Sequence, residues 1–312
     1  MLRSRPAFWI AFLTLTSGCA ARPQPAPPVT IDVQPAPAAR APEPQAAEDT
    51  ATGGAVLVWS SEGGGTTWHV AEDGAVLREE PGIVVATRRG EWRWEIRTED
   101  VETSACELAL GDVHGPGEGT GQRAHLVLRG AGARQEVITP PDADGSNVIE
   151  HRATVIGSVG PYLFIEERTY TYACGAHGFD GAGFVVWDAE RGAAVDLLAE
   201  VPGVPALQRE AAALLDAFEE IPVAARQAQD PPALVKLAPG YAARGWLRMT
   251  AQLARGACYA CGDGAWSSYS RSAMVPIERL PARLAPWASP PPGVRAFLAR
   301  TPGAPINGWS RP

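Results

Sequence analysis

The chain has 312 residues, a hydrophobic content of 46%, and 35 Asp and Glu against 27 Lys and Arg, a formal net charge of −8. This acidic balance excludes sequence-independent nucleic-acid binding, which needs a basic face, and it disfavours electrostatic adhesion to anionic lipid. The length beyond the first 52 residues suffices for one large globular domain or two small ones.

The N-terminal 19 residues have the order of segments typical of an export signal. Arg3 and Arg5 precede the apolar run 8–15, and Ser17 and Gly18 precede Cys19. The run is shorter than the about 20 apolar residues that span a bilayer, so residues 1–18 are predicted to be a cleaved signal peptide. The segment resembles a bacterial lipoprotein signal, which implies that Cys19 becomes the lipidated (palmitate-type) first residue.

Residues 19–52 are predicted to be a tether. Residues 20–50 contain eight prolines and no aromatic residue, so they cannot bury enough apolar surface to offset the entropy of ordering. Such a segment extends at about 3.1 Å per residue, a reach of roughly 95 Å. The chain is thus expected to be anchored to a membrane by its lipid, in the envelope of a Gram-negative bacterium. We place it at the outer membrane, facing the periplasm or the cell surface.

Residues 53–312 are predicted to form a globular α+β domain, and a division into two subdomains that meet near 140–150 is the alternative. In its first two-thirds, apolar and polar residues alternate with a period of two, as in antiparallel strands. The clearest hairpin pairs 83–87 with 91–97, in which Trp92, Trp94 and Ile96 alternate with charged residues and are expected to be buried on one face. Further strands are predicted in the following segments: 55–59, 66–70, 75–77, 106–110, 125–129, 136–139, 148–156, 162–174, 183–187, 194–198 and 245–251.

The apolar period lengthens in the C-terminal third. Leu207, Ala211, Leu214 and Phe218 recur at helical spacing after Pro205, which predicts a helix that buries this stripe and leaves Asp216 in solvent. Shorter helices are expected near 280–287 and 294–298. The fold class is therefore α+β: mainly antiparallel sheet, with a few helices in the C-terminal third.

Four cysteines lie in the domain: Cys106, Cys174, Cys258 and Cys261. An even number in an exported chain favours disulfides, and we expect the pairs Cys106–Cys174 and Cys258–Cys261. The alternative is a zinc site of Cys174, His177, Cys258 and Cys261, since each half has two ligands three residues apart. A redox-active pair is a third alternative, although Gly262 and its neighbours favour a turn after Cys261 over the helix that such pairs open.

No serine elbow, zinc-protease helix or close acid pair occurs in a recognisable motif, so no catalytic residue and no cofactor are predicted. The remaining histidines, at positions 69, 114, 125 and 151, lack ligand-type spacing and are expected to lie at the surface or in hydrogen bonds. The run 170–178 is Tyr-rich and ends Cys-Gly-Ala-His-Gly, and the runs 184–188 and 192–197 follow it. Together they resemble an exported domain of unknown function found in lysozyme-sensing anti-sigma factors and beside peptidoglycan deacetylases. That resemblance implies an α+β binding or structural domain.

Sequence alone therefore leads to a membrane-anchored envelope lipoprotein with a non-enzymatic binding or structural domain. Its partner would be an envelope protein or glycan and not nucleic acid. A periplasmic hydrolase acting on envelope polymers, or a metal-binding or redox lipoprotein, remains an alternative.

Overall fold

A computed structural model of the chain describes residues 54–61, 64–103, 119–130, 133–138, 148–171, 179–218, 230–256 and 270–312. Contacts group residues 46–312 into one compact unit. The described part is mainly antiparallel β-sheet with few helices, which agrees with the expected class.

Three sheets make up the described part. The first has the strand order β15-β1-β2-β3 and contains the following strands: β1 (Ala55–Ser61), β2 (Gly64–Val70), β3 (Val76–Pro81) and β15 (Gly308–Ser310). The third has the order β12-β13-β14, with these strands: β12 (Ala233–Tyr241), β13 (Leu247–Gly256) and β14 (Ser270–Ile277).

The second sheet has eight strands in the order β11-β10-β9-β8-β6-β5-β4, with β7 paired to β6. Its strands have the following bounds: β4 (Ile83–Thr87), β5 (Gly90–Thr103), β6 (Gly119–Gly130), β7 (Ala133–Ile138), β8 (Val148–Val159), β9 (Tyr162–Thr171), β10 (Phe179–Asp188) and β11 (Ala193–Val195). All its ladders are antiparallel except β6–β8, which join in parallel at the pair Gln122 and Glu150.

The predicted hairpin is confirmed as β4–β5, with Ile83 opposite Trp94 at its far end. Trp94 is buried, as expected, and Trp92 is half-buried. The expectation for Ile96 is wrong, because this side chain is 46% exposed. The strand β4 begins at Ile83, opposite Trp94, so Ile96 lies in a part of β5 that β4 does not flank.

Among the described residues, three helices follow the second sheet: α1 (Val204–Phe218), a 3-10 helix (Ala282–Trp287) and α2 (Pro292–Arg300). The stripe of α1 that faces the core differs from the predicted one. Leu207, Ala211 and Leu215 are buried, whereas Leu214 and Phe218 are 48% and 73% exposed. These three residues are four positions apart and define the buried face. The buried face is therefore rotated from the predicted one toward Leu215, which places Asp216 on the inner side of the helix.

Asp216 is therefore buried, and its expected exposure is wrong. Its Oδ1 accepts a hydrogen bond of 2.7 Å from Nη1 of Arg255 on β13. Both side chains are less than a tenth exposed. The ion pair joins α1 to the third sheet beside the apolar cluster that contains Leu215, Leu253 and Phe164.

The C-terminal strand β15 joins parts of the chain that are distant in sequence. Trp309 lies opposite Leu57 of β1 and is 1% exposed. Main-chain hydrogen bonds run from the amide of Ser158 to the carbonyl of Asn307 (2.9 Å) and from the amide of Gly160 to the carbonyl of Trp309 (2.9 Å). Through these hydrogen bonds, β15 joins the first sheet to the β8 end of the second sheet.

Candidate functional site

The site residues predicted from the sequence lie outside the described residues. These are Cys19, Cys106, Cys174, His177, Cys258 and Cys261. The disulfide pairs and the alternative zinc site therefore stay predictions.

The described strand ends that flank Cys106 and Cys174 lie at one end of the second sheet. Thr103 pairs with Gly119 where β5 meets β6, and Thr171 pairs with Phe179 where β9 meets β10. Between these two hairpins, Glu150 of β8 pairs with Gln122 on one side and with Tyr170 on the other.

The flanks of Cys258 and Cys261 lie at the same end. The β12–β13 hairpin packs across β8 and β9: the Tyr241 hydroxyl donates to the Ser158 carbonyl near the β8–β9 turn, and Lys236 Nζ lies 3.2 Å from Glu166 Oε1 further along β9. Followed backwards from Tyr241 to its start at Ala233, β12 therefore lies along β9 in the direction of Thr171. The last pair of β13 and β14, Gly256 with Ser270, lies at that end as well.

One group of described residues has the arrangement of a metal site. His69, Glu80 and Glu91 lie on β2, β3 and β5 and place three ligand atoms within 4.8 Å of one another. Nε2 of His69 is 2.8 Å from Glu80 Oε1. No spacing in the sequence indicates this group, because cross-strand pairing assembles it.

A guanidinium already occupies the middle of this group. Nη2 of Arg78 lies 2.6 Å from Glu91 Oε2, 2.8 Å from His69 Nε2 and 3.2 Å from Glu80 Oε1. Arg93 also donates to Glu80. Burial raises the pKa of Glu80, but hydrogen bonds from His69 and Arg93 outweigh it and lower that pKa overall. Two arginines balance two glutamates, so this cluster is best described as an ion-pair network that joins three strands.

A second histidine lies between two carboxylates on the second sheet. His125 of β6 has Nδ1 2.5 Å from Glu136 Oε1 on β7 and Nε2 3.3 Å from Glu99 Oε1 on β5. The second contact is an ion pair by distance but lacks the direction of a hydrogen bond, since this Nε2 has no hydrogen-bond partner among the described residues. The hydrogen bond with Glu136 raises the pKa of His125; burial opposes the rise, and Glu99 adds to it.

The His125 contacts predict a pH-dependent part of the stability. A histidine whose pKa is raised on folding stabilises the native state fully below its unfolded pKa of about 6.5, and this contribution is lost as pH rises through the folded value. We expect the free energy of unfolding of the wild type to fall between about pH 6 and pH 9, and that of His125→Gln to fall less. Urea unfolding at the two pH values measures it, with His69→Gln as the comparison. An unchanged pH dependence in His125→Gln would contradict the assignment.

Two further polar side chains are buried where β6 meets β8. Arg123 is 6% exposed and His151 is 1% exposed. His151 Nε2 lies 3.3 Å from Glu167 Oε2. Within the described ranges, Arg123 Nε and His151 Nδ1 have no hydrogen-bond partner. The expectation of hydrogen-bonded histidines is confirmed for residues 69, 125 and 151, each of which contacts a glutamate of a neighbouring strand.

An apolar groove of about 300 Å³ runs between α1 and β14. Leu214 and Phe218 line one side and Met274 the other, and all three are at least 48% exposed. The guanidinium carbon of Arg271 stands 6.0 Å from the Phe218 ring centroid. Clustered exposed apolar side chains of this kind are typical of contact surfaces.

Comparison with known proteins does not identify any of these sites. No family model, curated protein or solved structure matches this chain. The resemblances noted from the sequence, to a lipoprotein signal and to the anti-sigma-factor domain, accordingly stay predictions. None of the described helices is long and apolar enough to cross a membrane.

Proposed function

We propose that this chain is an envelope lipoprotein, anchored through Cys19, whose β-rich domain binds an envelope component. The observation that carries the proposal is the order of charged, apolar and small residues that ends at Cys19. A Pro-rich segment then separates Cys19 from the first described strand, which begins at Ala55. This order fits a folded domain held at a distance from its lipid anchor.

The hydrolase alternative would need a general acid in the domain. A general acid needs a carboxyl whose pKa is raised toward the working pH. The described carboxyls with a clear shift move the other way: hydrogen bonds from Arg97 and Arg129 lower the pKa of Glu95, and the Ala75 amide lowers that of Asp73. These groups are held ionised, as in ion-pair networks. The release of soluble fragments from envelope polymers by the purified protein would instead favour the hydrolase.

The anchor is tested by replacing its cysteine. We expect Cys19→Ser to abolish incorporation of a labelled fatty acid and to leave the protein soluble or as an unprocessed precursor, because the thiol that receives the lipid is gone. Cell fractionation and labelling of the full chain measure both effects, with Thr30→Ser in the Pro-rich segment as the control. Unchanged labelling and membrane fractionation of Cys19→Ser would refute the anchor.

The domain cysteines are tested by thiol titration. We expect none of the four to be titratable in denatured, unreduced protein, because an exported chain oxidises its thiols. Two or more free thiols, or stoichiometric bound zinc, would contradict the pairs Cys106–Cys174 and Cys258–Cys261.

A further inference from the structure

The ion-pair network of His69, Arg78, Glu80 and Glu91 holds one nitrogen in two incompatible contacts. Nε2 of His69 lies 2.8 Å from Oε1 of Glu80 and 2.8 Å from Nη2 of Arg78. An ionised carboxylate only accepts hydrogen bonds, and a guanidinium only donates them. If Nε2 carries a proton, the Arg78 contact sets two donors against each other; if it carries none, the Glu80 contact sets two acceptors against each other. One of the two contacts is therefore unfavourable in either protonation state.

A metal ion in the position of Nη2 would accept all the lone pairs that meet there. This atom lies 2.6 Å from Oε2 of Glu91 and 3.2 Å from Oε1 of Glu80, in addition to its contact with His69. In a tetrahedral site with bonds of about 2.1 Å, the ligand atoms lie about 3.4 Å apart. The ligand atoms of the histidine and the two glutamates already lie within 4.8 Å of one another. Side-chain adjustments of about 1 Å would therefore bring them to bonding distance.

This position is open to solvent on one side. His69 lies directly opposite Arg78 on β2 and β3, and Glu91 reaches them from β5. The side chains of His69 and Glu80 are 12% and 15% exposed, whereas those of Arg78 and Glu91 are 50% and 47% exposed. Arg78 is thus an outer member of the group, and its long side chain lets the guanidinium move into water while the strands stay in place.

Arg93 holds the Glu80 carboxylate in the orientation that a metal ligand needs. It donates to Oε2 of Glu80 and, through Nη1, to the main-chain carbonyl of Pro81 at 2.8 Å. The other carboxylate oxygen, Oε1, is left to face His69. Hydrogen bonds of this kind, to the far side of a ligating group, orient metal ligands and support affinity. Arg93 is therefore a positioning residue for this carboxylate.

We propose that His69, Glu80 and Glu91 bind a divalent transition-metal ion such as Zn²⁺ in exchange for the guanidinium of Arg78. The protein ligands are Nε2 of His69 and one oxygen of each glutamate, and three protein ligands leave a position for water. An imidazole suits Zn²⁺ and its neighbours in the transition series, whereas Mg²⁺ prefers an octahedral set of oxygens. The ion would join the first sheet to β5 in place of the Arg78 contacts. This inference goes beyond the proposed function and does not depend on it.

Calorimetric titration of the full chain with Zn²⁺ tests the site, in a buffer with excess Mg²⁺ that occupies ordinary surface carboxylates. His69→Gln and Glu91→Gln should each weaken Zn²⁺ binding by about 10-fold or more, because each removes a ligand. His125→Gln is the matched control. His125 also lies between two glutamates, but a different nitrogen faces each of them, so they do not converge on one ion. This variant should bind as the wild type does.

Arg78→Ala should have the opposite effect and tighten Zn²⁺ binding by about 10-fold, because the ion no longer displaces several ion-pair contacts. A network with a merely structural role would show no such gain. Unchanged or weaker binding by Arg78→Ala would overturn the exchange. Glu91→Gln covers the case in which His69→Gln does not fold, because Glu91 is about half exposed.

Two further results would overturn the site. The first is the absence of Zn²⁺ binding by the wild type. The second is binding that both His69→Gln and Glu91→Gln leave unchanged, which would place the metal at other groups, such as the domain cysteines. Neither result bears on the lipoprotein proposal, since fractionation of Cys19→Ser does not depend on a metal.

Discussion

Replacing Trp309 with alanine should lower the free energy of unfolding by about 3–5 kcal/mol, the usual range for a large buried side chain. Trp309 is 1% exposed and packs with Leu57, Val294 and Phe297 in the core of the first sheet. Its ring centroid lies 5.6 Å from that of Trp287. The cavity that alanine would leave is bordered by side chains of β1 and α2, among them Leu57 and Val294.

Urea unfolding measures this effect, and Trp246→Ala is the matched control. Trp246 is 44% exposed, so its loss should cost less than about 1 kcal/mol. Similar costs for the two substitutions would show that Trp309 does not occupy the core of the first sheet. Deletion of residues 307–312 should destabilise further, because it also removes the hydrogen bonds from Ser158 and Gly160.

Removing one partner of the buried ion pair between Asp216 and Arg255 should cost about 3–5 kcal/mol. Arg255→Met keeps the apolar stem but leaves the Asp216 carboxylate, 8% exposed, without this guanidinium. The double variant Asp216→Leu with Arg255→Met should recover much of the loss, since a well-packed apolar pair can replace a buried ion pair.

Chemical unfolding of the two single variants and of the double variant forms a double-mutant cycle for this pair. Arg248→Met is the control, because Arg248 is exposed on the same strand, β13, and its loss should lie within about 0.5 kcal/mol of zero. If Arg255→Met costs no more than Arg248→Met, the pair does not hold α1 against the third sheet.

Strand alternation made much of the second sheet predictable. The β4–β5 hairpin and the strands that contain His125, Val155 and Val186 follow directly from apolar periodicity. The strands β12 and β14 were missed, because Pro239 and Pro276 interrupt their patterns. The three residues of β15 are too few to have a period at all.

Side-chain partners were less accessible to sequence reasoning than strands. The face of α1 was wrong because Leu214 and Leu215 both fit an apolar helical stripe, and only the packing against β13 and β14 decides between them. The histidine–glutamate contacts join residues 11 to 16 positions apart, and those separations follow from strand register alone.

The position of β15 has a consequence for how the domain is made. A ribosome, or a secretion channel that receives the N-terminus first, delivers β15 after every other described strand. Gly308 leaves no space for a side chain, since a Cβ there would lie 1.9 Å from Ser158 Oγ, so this strand must enter a slot that β1 and β8 already form. Until then the apolar face that Trp309 covers stays open. Completion of the first sheet therefore waits for β15, and a chain that lacked this strand would expose that face to proteases and chaperones.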